Sequence, residues 1–402
     1  MTMLIPDIAL PRALIRDAAQ FRGHVHRDCV TGDLVLRRGR VVGMRSGQAA
    51  PGTCRLIFPA LTEPHCHLDK CHSVGRLEQR GGDLSAAIQA QHRDKANWSA
   101  DDIRARALRG LAEANAAGVA TLRSHVDWGR DAEPPLAWHV LLELAQAAPL
   151  TMQLSPLTGI DQMADPDFSE TVARAVPEGH AIGAMVLGHP HMRAGLRSLF
   201  AAAARHDLAV DFHVDESLDP DMNGLEAIAD LALETGFGGP ILCGHAVSLA
   251  TRPPKDFTRI ADKLARAGIA IAALPATNLY LQGRAPHVPA ARGLTPLRAL
   301  SAAGVRVVVG TDNVRDAFCP VGRHDPLRAL ELAVLSAQLD PPLGRWLCAI
   351  TTDARAALGM NPGPIDGAQL HDLRVAQGHD PAAMIGGAPH KPATDLLEEL
   401  PR

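Results

Sequence analysis

Three stretches far apart in this chain repeat one pattern, and that pattern limits the fold more than any other feature. They read ANAAGVATLRSHVD (114–127), ARAGIAIAALPATN (265–278) and SAAGVRVVVGTDN (301–313). Each is an alanine-rich helix end, a glycine suited to the left-handed C′ position, an apolar run and a polar tip. Extended along the chain, the pattern predicts eight strands, beginning near Leu56, Val119, Leu150, Ile182, Leu208, Ile241, Ile269 and Val305. Helical periodicity separates most of them. Ile103, Ala107, Leu111 and Ala114 form one apolar stripe, with Ser99 and Asp102 before it in capping-box spacing. Strands alternating with helices pair in parallel, and near-continuous apolar strands are buried on both faces. Eight such units predict an α/β protein built on a (β/α)8 TIM barrel over 58–360.

The chain of 402 residues is long enough for such a barrel and a small appendage. Asp33–Met44 reads as a hairpin around an Arg-Gly turn, so 1–57 predicts a β-rich appendage. Residues 361–402 are expected to join it, although only Gln369–Ala376 reads as a strand there. The end of the chain, 396–402, reads as a short helix or as disordered.

In a parallel barrel the C-terminal strand ends form one mouth, where active sites are built. Polar residues gather at those ends here. Thr62–Lys70 (TEPHCHLDK) puts His65 and His67 two residues apart, hence on one face of a strand, with Cys66 turned away. Leu208–Phe212 runs into His213, Val214, Asp215 and Glu216; Pro240–Cys243 into Gly244 and His245; Val305–Val309 into Gly310, Thr311, Asp312 and Asn313. Taken singly, each is an ordinary solvated strand end. Taken together, the barrel brings all of them to one place.

Composition excludes several other functions. A net charge of −4 gives no electrostatic basis for binding nucleic acid or an anionic membrane, and 3% aromatic residues provide no base-stacking platform. No apolar run is long enough to span a bilayer, and the proline-broken N-terminus lacks the basic start of a signal peptide. Seven cysteines without a CxxC pair predict reduced thiols and a cytoplasmic location.

In ordered combination EPHCHLDK (63–70), RSHVD (123–127), HVDE (213–216), GHA (244–246), NLYLQGR (278–284) and GTDNVRD (310–316) resemble the amidohydrolase superfamily. The resemblance is to its cytosine deaminase-like group, which includes the N-isopropylammelide aminohydrolases, and it covers the whole barrel. It implies a metal-dependent hydrolytic deaminase acting on a small nitrogen heterocycle. His65, His67, His213 and Asp312 would be metal ligands, Glu216 the proton shuttle, and His245 a neighbour of the reacting oxygen. Three imidazoles and a carboxylate suit one divalent ion, Zn²⁺ or Fe²⁺, with a position left open for water. Asp312 would also accept a proton from that water.

Departures from the group bear on the substrate. Leu157 stands where cytosine deaminases carry a pyrimidine-reading glutamine, which argues against cytosine itself. Asn313 replaces a second acid and, with Arg315, Asp316 and Lys70, is closer to the ammelide-type enzymes. Lys70 is expected to contact a carbonyl or anionic group of the substrate, or else to pair with Asp69. Gln282 is expected to bond substrate or hold its loop, and Phe318 to wall the pocket or anchor a loop. The expected partner is a small heterocycle, with self-association into a homo-oligomer left open. Two other readings remain. A hydantoinase-like cyclic-amide hydrolase would need a fourth-strand lysine, which Ile182–His191 lacks, and a non-catalytic scaffold would not need a complete ligand set.

Overall fold

The computed structural model describes residues 2–48, 50–78, 81–287 and 291–399. Eight parallel strands form the barrel: β1 (Leu61–Cys66), β2 (Val119–Asp127), β3 (Thr151–Gly159), β4 (Ala181–Val186), β5 (Ala209–Val214), β6 (Ile241–His245), β7 (Ala270–Ala273) and β8 (Arg306–Val309). Each is hydrogen-bonded to its neighbours in sequence. The ring closes just beyond β8, where Asp312 bridges Cys66 and the Asp312 N–H donates to the His65 carbonyl at 2.9 Å. Closure therefore sets a residue of the last unit beside one of the first.

The helix Ala100–Ala116 shows how the sequence dictates the units. Ser99 caps it by accepting the Asp102 N–H at 3.2 Å, and Ile103, Ala107, Leu111 and Ala114 are buried against the barrel. Gly118 ends it at φ 83°, and a Cβ there would also collide with the Arg374 guanidinium. Gly268 and Gly304 adopt the same left-handed conformation before β7 and β8.

The second sheet has seven strands from both ends of the chain. His390–Pro392, Leu373–Ala376, Arg55–Pro59, Thr2–Pro11, Cys29–Arg37 and His24–His26 lie in that order, with Arg40–Arg45 paired to Cys29–Arg37. The C-terminal segment thus joins the appendage through two short strands. At the end of the chain a 3-10 turn spans Ala393–Leu397, and residues 400–402 lie outside the described residues. The apolar run at Leu56–Leu61 divides. Its first part pairs in the appendage, and β1 begins only at Leu61, because Ala60 passes between two sheets that both bury their strands. Among the described residues, no helix is long and apolar enough to cross a membrane.

The barrel interior holds a charged layer. Arg123, fully buried, donates to Asp211 Oδ2 at 2.8 Å, to Gln153 Oε1 and to the Leu358 carbonyl. Asp211→Ala leaves that guanidinium buried without its counter-charge. It is expected to cost about 3–5 kcal/mol, measured as a lower urea midpoint with an unchanged m-value.

Candidate metal centre and active site

Alternation along the strands explains how the site is assembled. On β1, Glu63 and His65 face inward, and His67 continues the same face beyond the strand end. On β2, Arg123 and His125 alternate inward, and on β5 Asp211 and His213 do the same. The result is a stack, with the Arg123–Asp211 pair below and imidazoles above. His125 lies between the two levels, its ring 4.1 Å from that of His65 and its Nε2 3.8 Å from Asp211 Oδ1.

At the top, donor atoms of His65, His67, His213 and Asp312 all lie within 4.8 Å of one another, and all four residues are buried. His213 Nε2 is 3.1 Å from both His65 Nε2 and His67 Nε2, and Asp312 Oδ1 is 3.1 Å from His67 Nε2 and 3.5 Å from His65 Nε2. Neither Asp312 oxygen has a hydrogen-bond partner. Buried carboxylates left without donors are costly, and three nitrogens aimed at one point cannot satisfy each other. The donor set fits a divalent cation. Burial first, then the Lys70 charge, push His67 down to about 3, and burial with the neighbouring imidazoles holds His213 well below its ordinary range. Both rings are therefore neutral and carry a lone pair. Burial opposes the Asp312 charge, yet His65 and His67 hold its carboxyl well below the usual range. Asp312 and His245 both sit at positive φ, 57° and 69°.

The expected proton carriers stand beside this cluster. Glu216 is 8% exposed, and its Oε1 lacks a hydrogen-bond partner while lying 3.6 Å from His245 Nδ1. That nitrogen is 3.0 Å from Asn278 Oδ1, which leaves Nε2 unpartnered. Burial opposes charging His245, but Glu216 and Asp312 outweigh it and raise its pKa.

The remaining predicted residues divide. Lys70 pairs with Asp127 at 2.7 Å across the neighbouring strand, not with Asp69, and lies over the Phe318 ring at 5.0 Å. Asp69 is instead the acceptor of the Asp127 N–H at 2.9 Å. Phe318 packs with Leu77, Ala90 and Ala317. The Gln282 amide is committed to the Glu216 carbonyl at 3.1 Å, so it holds the loop of the acid. The Asn313 amide donates to Asp316 Oδ2 at 2.7 Å. Leu157 stands at the end of β3 in register with Asp127. Cys66 Sγ points away toward the Arg123 carbonyl.

Sequence reasoning missed Glu63. It is wholly buried and accepts N–H bonds from His65 and Thr311 at 3.0 and 3.1 Å, tying the ligand-bearing ends of the first and last units together. Burial pushes its carboxyl up to about 8 despite those bonds. The available signal was its spacing, two residues before His65.

A model of the amidohydrolase family matches residues 87–365. The chain belongs to that family. This amidohydrolase is a hydrolase of carbon–nitrogen bonds, and the resemblance to the cytosine deaminase-like group holds. It is 34% identical over 344 residues to a pterin deaminase of Rhizobium rhizogenes, covering 84% of this chain and 78% of that protein. A 5-methylcytosine deaminase of Klebsiella pneumoniae, liganded with phosphonocytosine, superposes with a TM-score of 0.80 at 24% identity, covering 96% of this chain and 95% of that one. An N-isopropylammelide isopropylaminohydrolase of Burkholderia multivorans superposes at 0.72 with 21% identity and 94% of each chain covered. Both share the amidohydrolase's barrel and appendage.

Proposed function

We propose that the protein is a mononuclear metal-dependent aminohydrolase that removes an exocyclic amine from a small nitrogen heterocycle, with pterin-like 2-amino-4-oxo rings as the favoured class. The observation that carries this reading is the convergence of three imidazole nitrogens and one carboxylate at the barrel mouth, beside the unpartnered carboxylate of Glu216. The relationship to a pterin deaminase supports the ring class. Leu157, which offers no hydrogen bond where a cytosine-reading amide would stand, argues against cytosine itself.

A divalent cation held by His65, His67, His213 and Asp312 would supply Lewis acidity and lower the pKa of a water to about 7. Glu216 takes the proton of the attacking water and delivers it to the ring nitrogen, leaving the amidine carbon tetrahedral. The hydroxyl proton left on that carbon then passes through Glu216 to the amine, which leaves as ammonia while the carbonyl forms. His245 faces the same space through Nε2 and stabilises charge on the oxygen. Lys70, which pairs with Asp127 and lies over the Phe318 ring, meets a carbonyl of the substrate in this reading. β4 contains no lysine to bridge two ions, which disfavours a hydantoinase-like dinuclear site.

The test is ammonia release from pterins, aminopyrimidines, aminotriazines and creatinine-like rings by zinc- and iron-loaded protein. Release from the pterin class is the expected result. Hydrolysis of cyclic amides with no ammonia from any amino ring would overturn the reading.

A further inference from the structure

A second set of donor atoms lies outside that site. Cys71 and His72 follow β1, His324 precedes the helix Pro326–Ser336, and Glu113 projects from the helix Ala100–Ala116. One donor atom from each of Cys71, His72 and His324 lies within 4.8 Å of the others, and none of these residues belongs to the first cluster. We propose that Cys71, His72, His324 and Glu113 bind a structural zinc ion that staples the loop after β1 to the loop after β8.

Four observations support the site. First, the His72 side chain is 2% exposed and His324 1%, yet neither ring nitrogen of His324 has a hydrogen-bond partner, nor has His72 Nδ1, and His72 Nε2 meets only the Glu113 carboxylate. A buried imidazole left without partners, as His324 is, costs about 1–3 kcal/mol, a penalty that coordination would remove. Second, His72 adopts φ 59°, with its N–H donating to the Val314 carbonyl at 3.0 Å. Side chains of adjacent residues normally diverge, and the left-handed turn brings this one to the same side as Cys71. Third, room has been made for His324. A Cβ at Gly110 would sit 2.7 Å from Leu68 Cδ2 and 2.9 Å from His324 Nε2, so a larger residue at that helix position would press on both side chains. Fourth, Glu113 reaches both loops, with Oε2 3.4 Å from His72 Nε2 and accepting the His324 N–H at 3.4 Å.

The chemistry of the set selects the metal. One thiolate, one carboxylate and two neutral imidazoles balance a divalent charge, and sulfur with nitrogen in a four-ligand site favours zinc. Each imidazole offers a ring nitrogen to the group. Without an ion, the Cys71 thiol donates to the Leu68 or Arg106 carbonyl at 3.4 Å. Binding releases that single proton to solvent, as coordination of a cysteine requires. The β1 loop carries Lys70 and the β8 loop carries Asn313, Asp316 and Phe318, so the staple would fix two walls of the mouth without touching substrate.

Metal analysis and cobalt substitution of the full chain test this. Zinc-loaded wild-type protein is expected to hold about two ions per chain, and each ligand variant about one. Cobalt(II) in this site should show a thiolate-to-metal charge-transfer band, because the first cluster contains no sulfur. The band should be lost in Cys71→Ser, altered in His324→Gln, and retained in Asp312→Ala. Absence of the band from cobalt-saturated wild-type protein overturns the proposal without recourse to any variant. The same band with no ammonia release from any ring would leave the staple standing and remove only the aminohydrolase reading.

Discussion

Asp312→Ala should lose the ion of the first cluster and, with it, turnover. Among the described residues Asp312 is the carboxylate of the four-residue group, and neither of its oxygens has a hydrogen-bond partner, so its charge is the one offered directly to an ion there. A bound ion contributes several kcal/mol of transition-state stabilisation, and each 1.36 kcal/mol is tenfold, so ammonia release should fall by roughly 10³–10⁴-fold. Zinc per chain should fall by one ion in the same preparation. The fold should persist, because the substitution removes a buried charge instead of stranding one, in contrast to Asp211→Ala, which leaves Arg123 uncompensated. Far-UV circular dichroism separates the two cases. Full turnover in Asp312→Ala would remove the cluster from the mechanism.

The parts of this molecule that follow backbone rules were legible in the sequence. Gly118, Gly268 and Gly304 mark helix ends because only glycine reaches a left-handed conformation without strain, and each is followed by a buried strand. His65, Asp312 and the tips of β5 and β6 converge because parallel barrels bring strand ends together, whatever lies between them in sequence. Three features were not legible, each for a physical reason. The division of Leu56–Leu61 between two sheets leaves no trace, since both sheets bury those residues equally. The partner of Lys70 depends on which carboxylate stands at the end of the adjacent strand, and the pairing of the first two strands brings Asp127 to it at 2.7 Å. The Cys71, His72 and His324 group joins residues from the two ends of the barrel sequence, and its members carry no shared local motif. Arg123 and Asp211 stand on inward faces of the barrel, and each is satisfied by the other.

Glu216→Gln separates metal binding from proton transfer. The side chain keeps its shape, the four metal-binding groups are untouched, and zinc content should remain at the wild-type level. An amide can neither take a proton from water at neutral pH nor pass one to the ring, so kcat should fall by roughly 10²–10⁴-fold. The pH profile adds an independent readout. Burial first, and then the nearby Asp312 charge, push the Glu216 carboxyl up to about 7, while His245 pulls the other way. A base must be ionised to act, so kcat/KM should decline about tenfold per unit as pH falls below that pKa. A cation in the neighbouring cluster favours the carboxylate, which places this acidic limb at or below pH 7 in the loaded enzyme. In Glu216→Gln the residual activity should lose the limb altogether. If the variant kept its limb unchanged, another group would be the base. His245 would then be the next candidate, since its Nε2 is unpartnered and its ring faces the same cluster.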